Sequence, residues 1–210
     1  VFTPPLPEQM QLPNGLRVLV VEKHDMPVVT FGLVVSAGAI TDLPGRPGIA
    51  GFTAQMLSEG TNTRSSQEIA SAFEFIGARL SAEARREITL ISTETLSKHW
   101  KKALDLLADV VRYPSFPAHE LERVRREHLT DLRRAKDDAG FVAGQIMPGL
   151  VFGKETQYGH SSIGTEDSVA GFTREDLEGN YRRLYGPGEA TLVVAGDVTL
   201  TEVSQAATTA

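Results

Sequence analysis

Apolar and polar residues change their rhythm along this chain, and the rhythm marks the elements. Val18, Leu19, Val20 and Val21 follow an Asn14-Gly15 pair, with Met10-Gln11-Leu12 on its other side, which predicts a β-hairpin. A second β-prone run extends from Pro27 to Ala37 and stops at Gly38. Pro44-Gly45-Arg46-Pro47-Gly48 reads as a loop whose Pro47 suits a helix start, and Ile49 to Leu57 reads as that helix, closed by Gly60. Ser65-Ser66-Gln67-Glu68 has capping-box spacing for a helix reaching Gly77. From Arg79 to Glu94 the apolar positions alternate (Leu80, Ala82, Ala84, then Ile88 and Leu90), which predicts two antiparallel strands.

Helical spacing returns between Ser97 and Arg112, where Trp100, Leu104, Leu107, Ala108 and Val111 share a face. Pro117 to Ala135 predicts a long, highly charged helix, and Phe141 to Phe152 a further one. After a loop from Gly153 to Gly164, Thr173-Arg174-Glu175-Asp176 opens another helix ending near Tyr185, and Ala190 to Gly196 reads as a buried strand. Strands, two helices, two strands, four helices and a strand predict an α+β fold: a largely antiparallel sheet with helices mainly on one face. A polar, proline-rich opening, residues 1–9, reads as an arm ahead of a single domain spanning 1–210.

Composition narrows the chemistry. The chain has 210 residues, ample for a core, and 21 basic against 27 acidic side chains give a net charge of −6. Such a balance offers no positive field for nucleic acid. The apolar runs are far shorter than the roughly 20 residues of a membrane helix. With no cysteine, disulfides, thiolate zinc sites and cysteine nucleophiles are excluded. The start, Val-Phe-Thr-Pro-Pro, lacks an initiator Met and a leader pattern, so the chain reads as a processed or excised piece whose compartment is not visible.

Motif by motif, catalytic signatures fail. Neither His-Glu-x-x-His nor its inverse occurs among the five histidines; Glu127-His128 comes nearest, but Val124 stands where the other histidine would be. His128 is therefore expected to be a helix-surface residue. Gly159-His160-Ser161-Ser162-Ile163 lacks the second glycine of a nucleophile elbow, so it reads as an ordinary polar loop. Hydrolysis through His160, Ser161 or Asp131 is the weakest reading, because no nucleophile–base pair is legible. Arg123, Arg125, Arg126, Arg133 and Arg134 alternate with acidic residues, as on a solvated helix face.

Leu12-Pro13-Asn14-Gly15-Leu16-Arg17-Val18 and the run from Gly48 to Thr61 resemble the insulinase/pitrilysin family of zinc peptidases, in the shorter branch that includes the mitochondrial processing peptidases. The likeness continues through Ile76-Gly77-Ala78, Tyr158-Gly159-His160, Ile163-Gly164-Thr165 and Leu192 to Asp197, in order over nearly the whole chain. In that family the helix after the residue matching Gly48 carries His-x-x-Glu-His, the inverted zincin motif. Here the ligand positions are Gly51 and Gln55, the base position is Ala54, and the distal ligand falls at Asp131. Helical spacing sets Ile49, Phe52, Thr53 and Met56 on one face and Gly51, Ala54 and Gln55 on the opposite one.

What the resemblance implies is a degenerate member: a metalloenzyme processing-peptidase-like fold with no catalytic residue and no metal site of its own. Gln55 and Asp131 are expected to hydrogen-bond in a filled site rather than touch substrate. No cofactor is expected in this chain, with zinc in a catalytic insulinase-family subunit or fused half. Such a domain would help form a chamber and bind extended peptide; the alternative is a purely structural assembly subunit. The family unit holds a second, similar domain, which this chain lacks. A bacterial periplasmic home is implied by the resemblance alone.

Overall fold

The computed structural model describes residues 5–210. Residues 1–4 of the expected arm lie outside the described residues, and the arm is shorter than expected, because Glu8 and Gln9 already belong to a strand. That strand, β1 (Glu8–Gln11), forms a hairpin with β2 (Arg17–Glu22) around the Asn14-Gly15 turn. Gly15 has φ +94°, the left-handed conformation that glycine adopts without strain, and Asn14 Oδ1 accepts from the Leu16 amide.

β3 (Val28–Val35), β4 (Ser81–Ala84), β5 (Thr89–Leu96) and β6 (Ala190–Gly196) complete a six-stranded sheet in the order β1-β2-β6-β3-β5-β4. Every pairing is antiparallel except β2 with β6. The last strand therefore enters the middle of the sheet, between β2 and β3. Val18 and Val20, Phe31 and Leu33, Ile91, and Leu192 and Val194 alternate along their strands and are buried on one side. Leu19, Val21, Val34, Leu90 and Val193, on the other side, are only half-buried. Burying a Phe or Leu side chain contributes about 1.5–3 kcal/mol, so the first set carries the sheet's stability.

Eight α-helices stand among the described residues: α1 (Ile49–Met56), α2 (Ser66–Phe75), α3 (Trp100–Arg112), α4 (Ala118–Ala135), α5 (Ala139–Pro148), α6 (Glu166–Ala170), α7 (Arg174–Leu184) and α8 (Leu200–Thr209). The α+β reading holds, and α3 and α8 lie against the sheet, with α1 beside β4 and β5. Ser65 and Glu68 make the expected capping box on α2, and Thr173 with Asp176 makes one on α7. Sequence periodicity misses α6 and α8. Both carry capping boxes, Thr165 with Ser168 and Thr199 with Glu202, but each is too short or too mildly amphipathic to stand out. The helix expected from Phe141 to Phe152 starts earlier and changes at Gly149 into a π-helical turn, Gly149–Gly153.

Arg126, Arg133 and Arg134 of α4 are exposed, as on a solvated face, but Arg123 and Arg125 depart from it. Arg125 is half-buried, and its guanidinium donates to the carbonyls of Val169, Ala170 and Phe172 at the end of α6. Arg123 joins Glu120 and Glu127 of its own helix to Glu59, which follows α1. These are ties between helices, built from residues whose spacing also suits pairs within one helix. No helix among the described residues is long and apolar enough to cross a membrane.

On the surface, His24 Nδ1 lies 2.8 Å from Asp197 Oδ1, joining the β2–β3 loop to the end of β6, with Glu22 at 3.7 Å from Nε2. The bond to Asp197 raises the His24 pKa above 6.5, with Glu22 adding to it. A raised folded pKa means stability that is complete below the unfolded value and lost as pH rises through the folded value. His24→Gln should therefore flatten the fall in urea midpoint on passing upward from pH 6.5, the ordinary value, through the neutral range. An unchanged pH slope would show that the pair contributes nothing.

Candidate functional site

α1 positions the site, and it is held from outside. Asp42 is buried, and its carboxylate accepts from the amides of Gly48 (2.6 Å) and Ala50 (3.0 Å), capping the first turn of α1. Burial pushes the Asp42 pKa above the ordinary carboxylate value, and the two amides act against that shift. Sequence reading missed this residue; its one signal is an acidic side chain shortly before a Pro-Gly helix start. Gly48 has φ +87°, and a Cβ there would overlap the backbone of Ile163 and Gly164. The 159–164 loop thus lies directly on the helix start; Arg86, between β4 and β5, donates to its His160 carbonyl, and Ser168 Oγ of α6 donates to the Pro47 carbonyl just before α1.

Ile49, Phe52, Thr53 and Met56 are buried, as their spacing predicts, and Asn180 of α7 donates to Thr53 Oγ1. The other three positions do not share one environment. Gly51 is half-buried, with the Ser162 carbonyl 3.4 Å from where a Cβ would be; Ala54 is fully buried; Gln55 is exposed. Asp131 is exposed on α4, a helix in contact with α1. The expected hydrogen bond between Gln55 and Asp131 is not present among the described residues.

Gly51 and Ala54 offer no donor atom, and the Gln55 amide is a poor ligand for zinc beside imidazole or carboxylate. These residues do not fit a zinc ion. Among the described residues, no three His, Asp or Glu side chains converge as a metal site would require.

Histidines elsewhere serve the scaffold. His128 is half-buried rather than a surface residue: its Nε2 lies 2.8 Å from the Ile163 carbonyl and its ring packs on Phe52 at 5.9 Å. His160 Nδ1 lies 3.2 Å from the Ser161 carbonyl and 4.0 Å from Asp42 Oδ2. The Ser161 hydroxyl instead meets Gln145 Oε1 and the Gly164 carbonyl, so His160 and Ser161 form no nucleophile–base pair. An apolar cavity of about 450 Å³ lies between the sheet and α3, α7 and α8, lined by residues such as Leu33, Leu104, Tyr185 and Leu192. Burial pushes the Tyr185 hydroxyl pKa up to about 12. None of Gly51, Gln55 and Asp131 lines that cavity.

Residues 17–143 match the family model described as Insulinase (Peptidase family M16). The chain belongs to the insulinase family. An uncharacterized zinc protease of Mycobacterium leprae is 30% identical over 187 residues, covering 89% of this chain and 42% of that protein. A probable mitochondrial-processing peptidase subunit beta of Arabidopsis thaliana is 28% identical over 192 residues, 91% of this chain and 36% of that protein. Among solved structures, a peptidase M16 inactive domain from Pseudomonas fluorescens superposes with a TM-score of 0.91 at 28% identity, over 97% of this chain and 49% of that one. The chain spans about half the length, or less, of the relatives it matches.

The insulinase-family fold thus stands here on a helix start that permits almost no substitution. Gly48→Ala would add both a left-handed alanine and a backbone overlap with Gly164. We expect a loss of about 2 kcal/mol or more, read as a lowered urea midpoint. Gln55→Ala, at an exposed position, should change the midpoint by less than about 0.5 kcal/mol. Equal effects of the two substitutions would refute this assignment of the helix anchor.

Proposed function

We propose that this chain is a non-catalytic peptidase-like domain that works beside a catalytic insulinase-family domain, walling the chamber and holding peptide in extended form. One observation carries the reading. The helix that bears the family's metal motif is firmly seated, yet it offers glycine, alanine and an amide at Gly51, Ala54 and Gln55. Without a Lewis acid or a base beside it, that face has no means of activating water. The Pseudomonas fluorescens relative, described as an inactive domain, supports the same reading.

Peptide holding is assigned to β4. It is an edge strand, its outer side unpaired in the sheet order, and it runs beside α1. An edge strand presents free amides and carbonyls to which an extended chain can add. Ser81 and Glu83 are exposed, while Ala82 and Ala84 are half-buried. Zinc, in this reading, belongs to the catalytic partner or half.

Two measurements test it. Titration of the pure chain with zinc should show no tight stoichiometric uptake; one tightly held zinc per chain would overturn the non-catalytic assignment. Hydrogen exchange with an unstructured peptide of about 20 residues in excess should slow the amides of residues 81–84. Absence of that protection, with no change in a catalytic partner's cleavage when the chain is added, favours the purely structural subunit instead.

A further inference from the structure

Residues 133–158 include no buried residue, a run that takes in the last turn of α4, all of α5 and the π-helical turn. Every other α-helix buries at least two residues. α5 packs chiefly on its own π-helical turn, and Phe141 alone among its residues packs against the hydrophobic core. Buried apolar surface is what makes local opening costly, so a segment without it opens far more readily than the sheet. We propose that residues 139–158 form a lid that opens as one unit, latched at its far end by the Tyr158 hydroxyl on Glu87. The proposal is independent of the peptide-holding role of β4.

Both ends of the segment are fixed. On the α4 side Leu132 is buried, and Arg133 and Lys136 hold Glu166. From Gly159 onward the chain is pinned again: Arg86 donates to the His160 carbonyl, His128 meets the Ile163 carbonyl, and Gly164 lies against Gly48. Between these points few contacts leave the segment. Phe141 lies on the core, Gln145 Oε1 accepts from the Ser161 hydroxyl, and Tyr158 donates to Glu87 Oε1, in the β4–β5 turn, at 2.8 Å. Other interactions stay within it, such as the Phe152 and Tyr158 rings at 5.6 Å and the Thr156 hydroxyl on the Gly153 carbonyl. A segment bonded to itself, with fixed ends and few outward ties, moves as a body rather than by fraying.

Beneath the lid is a cleft of about 810 Å³, with Val142 and Ile146 of α5 on one side and Pro47, Leu132 and Gly164 on the other. Pro47 stands just before α1, and Gly164 belongs to the loop seated on that helix start. Opening the lid therefore bares the start of α1 and the loop that covers it. The latch joins two exposed groups, and a hydrogen bond of that kind is worth little, so its loss shifts the opening equilibrium by about 2- to 10-fold.

Hydrogen exchange should show residues 139–158 opening on the order of 100-fold more often than β3 and β6, with one common dependence on low urea, as a single unit requires. Tyr158→Phe and Glu87→Gln should each speed that exchange by about 2- to 10-fold, and the double variant by no more than either alone. The urea midpoint of the whole domain should stay unchanged in all three. As the chain has no cysteine, Leu132→Cys, beneath the lid, reports opening through its rate of modification by a thiol reagent. Adding Tyr158→Phe should raise that rate by the same factor, whereas Phe75→Cys, on α2 and 88% exposed, should react equally fast with and without it. Exchange of 139–158 at the pace of the sheet, or parts of the segment responding differently to urea, overturns the lid. Exchange and labelling that both substitutions leave unchanged overturn the latch. Should Leu132→Cys fail to fold, the exchange measurements decide.

Discussion

The buried carboxylate of Asp42 is the contact on which the rest of the site depends. A helix start leaves backbone amides without partners, and here a residue outside the helix takes two of them in a place that water does not reach. It fixes α1 in rotation and in depth. That lets Gly48 meet Gly164 backbone to backbone, which in turn fixes the 159–164 loop. Arg86 and His128 then tie the same loop to the β4–β5 turn and to α4, and Ser168 ties Pro47, ahead of α1, to α6. His128, a side chain open to a chemical reading, is employed in holding these pieces together, whereas the His160 side chain bonds only its neighbour Ser161.

Much of this architecture is legible in the sequence because it rests on local periodicity. The alternation of Val18 and Val20, the Asn14-Gly15 turn, and the Ser65/Glu68 and Thr173/Asp176 boxes each act within a few residues, so each leaves a local trace. What escaped has a non-local cause. The place of β6 between β2 and β3 depends on pairings more than 150 residues apart in sequence, such as Val18 with Leu192. Arg125 has the spacing of a surface ion pair, and only the arrival of α6 shows that it caps the carbonyls of Val169 and Ala170. Helical spacing sets Gly51, Ala54 and Gln55 on one face, yet a neighbour decides whether a face is covered. That is why Ala54 is buried and Gln55 is not.

The sheet shows a related asymmetry. Leu192 and Val194 are shut in beneath helices, whereas Val193, between them, is half-buried on the other side. Strict alternation gives each strand two faces of different character, and the helices satisfy one of them. The same incompleteness appears in α5, whose apolar residues find too little of the domain to cover them.

The forces that seat α1 also explain how the family fold stands with glycine, alanine and glutamine at 51, 54 and 55. Its position is set by Asp42 and Gly48 and by the burial of Ile49, Phe52 and Met56. None of these is a position that the proposed reading gives to a metal ligand or base. Fully buried apolar side chains contribute about 1.5–3 kcal/mol each, and two capped amides add to that. On the proposed reading, glycine, alanine and glutamine stand where the family carries imidazole and carboxylate groups, and none of those terms depends on them. Charged side chains gathered there without a metal would repel or demand hydration, so their loss costs the scaffold nothing it depends on. In this helix the anchoring residues and the proposed ligand positions are different residues, so the anchor does not depend on what stands at Gly51, Ala54 and Gln55.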